Sequence, residues 1–160
     1  MANLGCRVIL EPGRAIVGQA GALVASVLYL KKSEHKRFVI VDAAMNDLVR
    51  PTLYDAHHEI MPVSEPERGA PLERSDVVGP VCESGDYLAL DRDLPPLAAG
   101  DLIAVMSAGA YGGVQAGTYN TRLLVPEVLV KGADYAVVRP RPTYEELIGL
   151  DALPPWLKRN

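Results

Sequence analysis

The sequence predicts a mainly β domain, a barrel or sandwich with short helices added. Three observations carry this. Apolar runs are short and irregularly spaced; thirteen prolines and fourteen glycines punctuate them; and no strand alternates with a long helix. One Phe and one Trp in 160 residues leave the core to Val, Leu, Ile and Ala. That length suits about one domain and can bury a sizeable core. The net charge of -4 offers no basic field to a phosphate backbone, which argues against a nucleic-acid partner. Cys6 and Cys82 make no disulfide framework, and no apolar run reaches transmembrane length. With no secretory leader legible, the expected setting is soluble, reducing and cytoplasmic.

Taken in order, residues 7–10 read as a strand that stops at Glu11-Pro12-Gly13-Arg14, because Pro12 pushes Glu11 toward extended backbone. Residues 15–25, rich in Ala and Gly, are expected to begin as a short helix and turn into a strand near Gly21. A lysine-rich turn at 31–36 then leads into an apolar strand at 38–41, making a hairpin. Residues 42–47 read as a turn or a helical start. Pro51 suits the first turn of a helix that includes Tyr54. Residues 59–63 alternate, and Pro62 confines them to a sheet edge. A polar loop at 64–74 precedes a strand at 77–82, bent at Gly79-Pro80. After Pro95-Pro96, residues 101–107 form the cleanest strand. Pro126 bends or breaks 123–130, and 135–139 is the last strand. Thr143 and Glu146 have capping-box spacing for a short helix at 144–150, and 154–157 reads as extended.

The chemistry-bearing residues cluster around the stretch 81–113. Cys82-Glu83-Ser84-Gly85-Asp86 sits at one end and Gly109-Ala110-Tyr111-Gly112-Gly113 at the other. On residue types alone, Glu83 and Asp86 suit a substrate ammonium. Cys82 is read as a nucleophile or as a small buried residue, and no His lies at a spacing that implies a pair. Tyr111, flanked by Gly and Ala, leaves room for a planar ligand or marks a structural turn. Gly13 and Arg14 offer a peptide N–H and a guanidinium to an anion, or form a plain surface turn. Arg50 and Tyr54, four apart, share a helix face. His57 and His58 point apart in either regular structure, and no third ligand recurs at zinc spacing, so no metal site is expected.

Five motifs fall in one order: Glu11-Pro12-Gly13-Arg14, the run 50–58, Cys82 to Asp86, Gly109 to Gly112, and Tyr119-Asn120-Thr121-Arg122. In that order they resemble the C-terminal portion of bacterial diaminopimelate decarboxylase, over about 5–157. The run Arg139-Pro140-Arg141-Pro142-Thr143-Tyr144 resembles the end of that family.

The resemblance implies an alanine racemase-like, fold type III enzyme. Residues 1–22 would end its (β/α)8 barrel and 23–160 would be its C-terminal β domain. It would use pyridoxal 5'-phosphate to convert meso-2,6-diaminopimelate to L-lysine and carbon dioxide, in a homodimer with shared active sites. Glu11, Gly13, Arg14 and Tyr111 would border the cofactor. Arg14, Arg50, Tyr54 and Tyr111 would bind substrate, Arg14, Arg50 and Tyr54 at its distal carboxylate. Glu83, reaching into the partner's site, would hold an amino group, and Cys82 would be the candidate proton donor. The 160 residues contain no equivalent of the family's Schiff-base lysine, so they are expected to be the tail of a longer chain, inactive and without cofactor when alone. The rivals are a same-fold decarboxylase for ornithine, arginine or carboxynorspermidine, and a non-catalytic β interaction domain.

Overall fold

The computed structural model describes residues 5–157. The chain opens with α1 (Arg14–Val17), a 3-10 turn (Gly18–Ala20), β1 (Leu23–Lys32) and β2 (Arg37–Val41). It continues through α2 (Arg50–Tyr54), β3 (Ile60–Pro62), β4 (Glu73–Val78), β5 (Tyr87–Leu94) and β6 (Leu102–Val105). A hairpin, β7 (Glu127–Lys131) and β8 (Asp134–Arg139), and α3 (Tyr144–Ile148) complete the elements that matter here.

Six strands form one sheet in the order β3-β6-β1-β2-β4-β5, and the expected mainly β architecture is what the chain adopts. Only β2 and β4 pair in parallel; the other neighbours are antiparallel. β1 is long enough to pair β6 through its first half and β2 through its second, with a bulge between Val27 and Tyr29. Its alternation places Ala25 and Val27 inside, where they meet Val39, Val41, Leu48, Val77, Leu88, Ile103 and Val105. The buried apolar set is wholly aliphatic, as the near absence of Phe and Trp requires. Burying each such Val or Leu is worth about 1.5–3 kcal/mol. The sheet's two edges, β3 and β5, are bridged by the segment that contains α2. There Arg92 of β5 places a guanidinium nitrogen 2.5 Å from His57 Nδ1.

Several local expectations hold. The helix-to-strand switch comes at Gly21–Ala22, the β1–β2 hairpin closes at Ser33–Lys36, and β3 is the sheet edge that Pro62 demands. Thr143 and Glu146 form both bonds of a capping box on α3.

Others are corrected. Residues 7–10 form no strand: Ile9 and Leu10 are exposed, and no described strand pairs with them. The strand expected at 77–82 lies at Glu73–Val78, because Gly79-Pro80 ends it rather than bending it. β5 goes beyond the expected set: its left-handed Asp91 (φ 53°) interrupts alternation in a sequence dense in Asp and Arg. Strand β7 begins only after Pro126, and Pro155–Leu157 turns as a 3-10 segment instead of extending.

Candidate active site

Two glycines bring the N-terminal turn to the Tyr111 loop. The Gly109 N–H donates to the Gly18 carbonyl (3.0 Å), and the Ala108 N–H to the Gly21 carbonyl (2.8 Å). A Cβ on Gly21 would stand 2.6 Å from Gly109 Cα, and one on Gly109 would run into the Val17 carbonyl oxygen. Only backbone fits between the two segments.

Close backbone contact here also positions the phenol of Tyr111. Tyr111 has φ +59°, a left-handed conformation uncommon for a residue with a side chain. Its hydroxyl lies 3.2 Å from where a Cβ on Gly13 would be, directly over the residue that precedes α1. Its ring is also a platform. The Arg50 guanidinium carbon stands 5.6 Å from the Tyr111 ring centroid and 5.6 Å from that of Tyr54. A guanidinium between two aromatic faces is held by cation–π attraction, worth about 0.5–1 kcal/mol at an exposed site. The Arg50–Tyr54 pair follows from α2 itself: Pro51 fixes its first turn, and a left-handed Asp55 stops it after one turn.

Arg14 lies beside the same loop: a Cβ on Gly18 would stand 3.1 Å from Arg14 Cγ and 4.0 Å from the Cβ of Ala110, the neighbour of Tyr111. His58 is only 3% exposed. Burial, above all, lowers the His58 pKa below its usual 6.5. The hydrogen bond from His58 Nδ1 to the Met106 carbonyl (2.8 Å) acts the other way, and Arg50 and Arg14 add to the lowering. The imidazole is therefore neutral, with Nδ1–H donating. Gly13, Arg14, Arg50, Tyr54 and Tyr111 thus converge. Glu11, exposed, lies in irregular chain two residues before Gly13.

Cys82 and Glu83 stand apart from this cluster. Both are exposed, and Glu83 Oε1 accepts only the Gly85 N–H within its own loop (3.1 Å). The loop is fastened to α2 through Thr52, whose hydroxyl donates to the Gly85 carbonyl. Thr52 lies two residues from Arg50, about 200° around the helix. The Cys82–Glu83 loop and the arginine cluster therefore occupy opposite sides of α2.

Asp86 is a correction. It suited a substrate ammonium by sequence, but it is buried and accepts the N–H groups of Met45 (2.7 Å) and Val81 (2.5 Å). It braces the loop from behind. Residues 119–122 are likewise tied down. Buried Asn46 donates to the Gly117 and Tyr119 carbonyls, and Arg122 donates to the Asp42 carbonyl (2.6 Å). His57 and His58 do point apart, one to Arg92 and one into the core. The place of His58 was the feature sequence reasoning missed. Its signal was the period of two that sets it on the same face as buried Ile60.

Among the described residues no helix is long and apolar enough to cross a membrane. Residues 15–109 match the family model described as pyridoxal-dependent decarboxylase, C-terminal sheet domain. The chain is 50% identical over 152 residues to the diaminopimelate decarboxylase of Zymomonas mobilis, covering 95% of this chain and 35% of that protein. It is 55% identical over 147 residues to the enzyme of the same name from Pseudomonas aeruginosa, covering 92% and 35%. Among solved structures it resembles the diaminopimelate decarboxylase of Helicobacter pylori complexed with L-lysine, at a TM-score of 0.81 and 45% identity. That match covers 92% of this chain and 36% of the other. The chain spans about a third of the length of the curated relatives it matches.

Proposed function

Since the chain belongs to the pyridoxal-dependent decarboxylases through their C-terminal sheet domain, we propose that it is part of a diaminopimelate decarboxylase, which forms L-lysine and carbon dioxide from meso-2,6-diaminopimelate. In this reading residues 23–160 are the β domain and 1–22 close the preceding barrel. The observation that carries it is the arginine cluster. A substrate with a carboxylate at each end needs a second anion grip, and Arg50, stacked on Tyr54 and Tyr111, with Arg14 beside the Tyr111 loop, provides one. Decarboxylases for ornithine or arginine have no second carboxylate to hold.

The residues also fit pyridoxal 5'-phosphate. The Tyr111 hydroxyl and the peptide that opens α1 meet over Gly13, where a Cβ would crowd the phenol. Glu11, Gly13, Arg14 and Tyr111 would border the phosphate end of the cofactor. When bound, the cofactor supplies the electron sink that decarboxylation of an amino acid needs. This chain's own part is positioning. Arg14 and Arg50 hold the distal carboxylate, with Tyr54 beside them. Glu83 accepts hydrogen bonds from a substrate ammonium, and Cys82 Sγ holds the proton destined for the reacting carbon.

Cys82 and Glu83 do this in a second copy's site. Within one copy α2 lies between their loop and the arginine cluster, which favours a homodimer with shared sites. Mixing Arg50→Ala and Glu83→Gln forms of the longer enzyme tests this. Each variant alone is expected to be nearly inactive. The mixture should recover about a quarter of wild-type activity, from one intact site in each mixed dimer. No recovery on mixing, with mixed dimers demonstrated, sinks the shared site. An unchanged KM in Arg50→Ala sinks the substrate assignment. The 160 residues by themselves are expected to show no turnover with cofactor and substrate.

A further inference from the structure

The Cys82–Glu83 loop meets α2 at Thr52, and both ends of that side chain take part. The Thr52 hydroxyl donates to the Gly85 carbonyl, which also accepts the Tyr87 N–H at 2.8 Å. The methyl closes the same contact: a Cβ on Gly85 would stand 2.7 Å from Thr52 Cγ2, so no side chain fits there while the loop keeps its place. Gly85 in turn holds the side chain of Glu83. Its N–H donates to Glu83 Oε1 at 3.1 Å, and among the described residues Oε2 accepts no hydrogen bond. One residue therefore joins the two, its carbonyl on Thr52 and its N–H on the carboxylate. Glu83 is exposed, and a long exposed side chain has many rotamers to choose from unless something fixes it. Asp86 anchors the end of the loop through the N–H groups of Met45 and Val81, and Thr52 anchors its middle.

We propose that Thr52 is a positioning residue for Glu83: its hydroxyl and methyl seat Gly85 against α2, and the Gly85 N–H then holds Glu83 Oε1 with Oε2 left open to a substrate ammonium. A hydrogen bond to an ionised carboxylate is stronger than one between neutral groups, so this single N–H is enough to direct the side chain. The inference rests on the reading of Glu83 given above. The two parts of Thr52 are separable. The hydroxyl sets the direction of the Gly85 carbonyl, and the methyl sets how closely the loop approaches. Valine keeps the shape without the hydroxyl, and serine keeps the hydroxyl without the methyl.

The test uses Thr52→Val and Thr52→Ser in the longer enzyme. Thr52→Val is expected to raise the KM for meso-diaminopimelate about fivefold with kcat within about twofold, the size of one hydrogen bond lost equally from ground and transition states. Thr52→Ser should stay near wild type. L-lysine affinity, read by calorimetry, should weaken in Thr52→Val and in Glu83→Gln. Adding Thr52→Val to Glu83→Gln should cost nothing further, because both changes remove the same contact. Amide hydrogen exchange over 81–87 should quicken in Thr52→Val and not in Thr52→Ser. Gly85→Ala should weaken L-lysine binding, and Thr52→Ser in that background should recover part of the loss by removing the obstructing methyl. Additive losses in the Thr52→Val, Glu83→Gln pair overturn the proposal, as do exchange and L-lysine affinity that Thr52→Val leaves unchanged. Faster exchange in Thr52→Val, with L-lysine binding indifferent to Glu83→Gln, sinks the reading of Glu83 and leaves Thr52 seating the loop.

Discussion

Gly109 sets how closely the Arg14 turn and the Tyr111 loop approach. Any side chain there meets the Val17 carbonyl, and the Gly18–Gly109 and Gly21–Ala108 hydrogen bonds leave no slack. Gly109→Ala is expected to cost about 1–3 kcal/mol, the range for forced overpacking, and to show as a lower denaturation midpoint. Two buried titratable residues pull the pH profile in opposite directions. His58 has a native pKa below 6.5, so the unfolded chain takes up its proton first. Stability is therefore expected to fall as pH drops below about 6.5, and His58→Asn should flatten that part of a denaturation series. Asp47 is the reverse case. Burial raises its carboxyl above the usual 3.8, so the ionised form costs stability at neutral pH, and the cost is relieved as pH falls through the native value.

At the scale of elements, α2 does most with least. One turn, begun by Pro51 and ended by left-handed Asp55, puts Arg50 and Tyr54 on one side and Thr52 on the other. It is both the floor of the arginine cluster and the post to which the Cys82–Glu83 loop is tied. The β7–β8 hairpin poses the opposite problem. All five residues of β7 are exposed, as are Tyr135, Val137 and Val138 of β8, and the two strands pair only with each other. An isolated two-stranded hairpin is marginal in water, and a contiguous apolar surface of this kind marks a contact. The 160 residues are expected to associate as concentration rises, and Val128→Thr with Val137→Thr to shift that association to higher concentration in sedimentation runs.

At the scale of the whole molecule, the sheet's curl brings residues from distant parts of the chain to one rim. Gly13, Arg50 and Tyr111 lie up to ninety-eight positions apart by number (111 − 13), yet they form one cluster. The mixing experiment belongs at this scale, because it asks whether two copies of that rim and two Cys82–Glu83 loops complete each other.

Legibility in the sequence followed the range of the interaction. Proline and glycine punctuation, the capping box of α3 and the period of two are local, so the turn at Gly21, the helix at Pro51 and the edge strand at Pro62 could be read directly. The motif order gave the candidate site residues without their arrangement. The fate of residues 7–10 was not legible, because a strand exists only where a neighbour offers its hydrogen bonds. Asp86 looked like a ligand for cations because a carboxylate in a glycine loop carries no mark of what it faces. Only the tertiary structure decided that it faces the peptide N–H groups of Met45 and Val81, that His58 is a buried neutral base, and that α2 separates the cysteine–glutamate loop from the arginines. Each of those depends on which distant segments the sheet packs together, and burial, not residue type, sets the charge state that results.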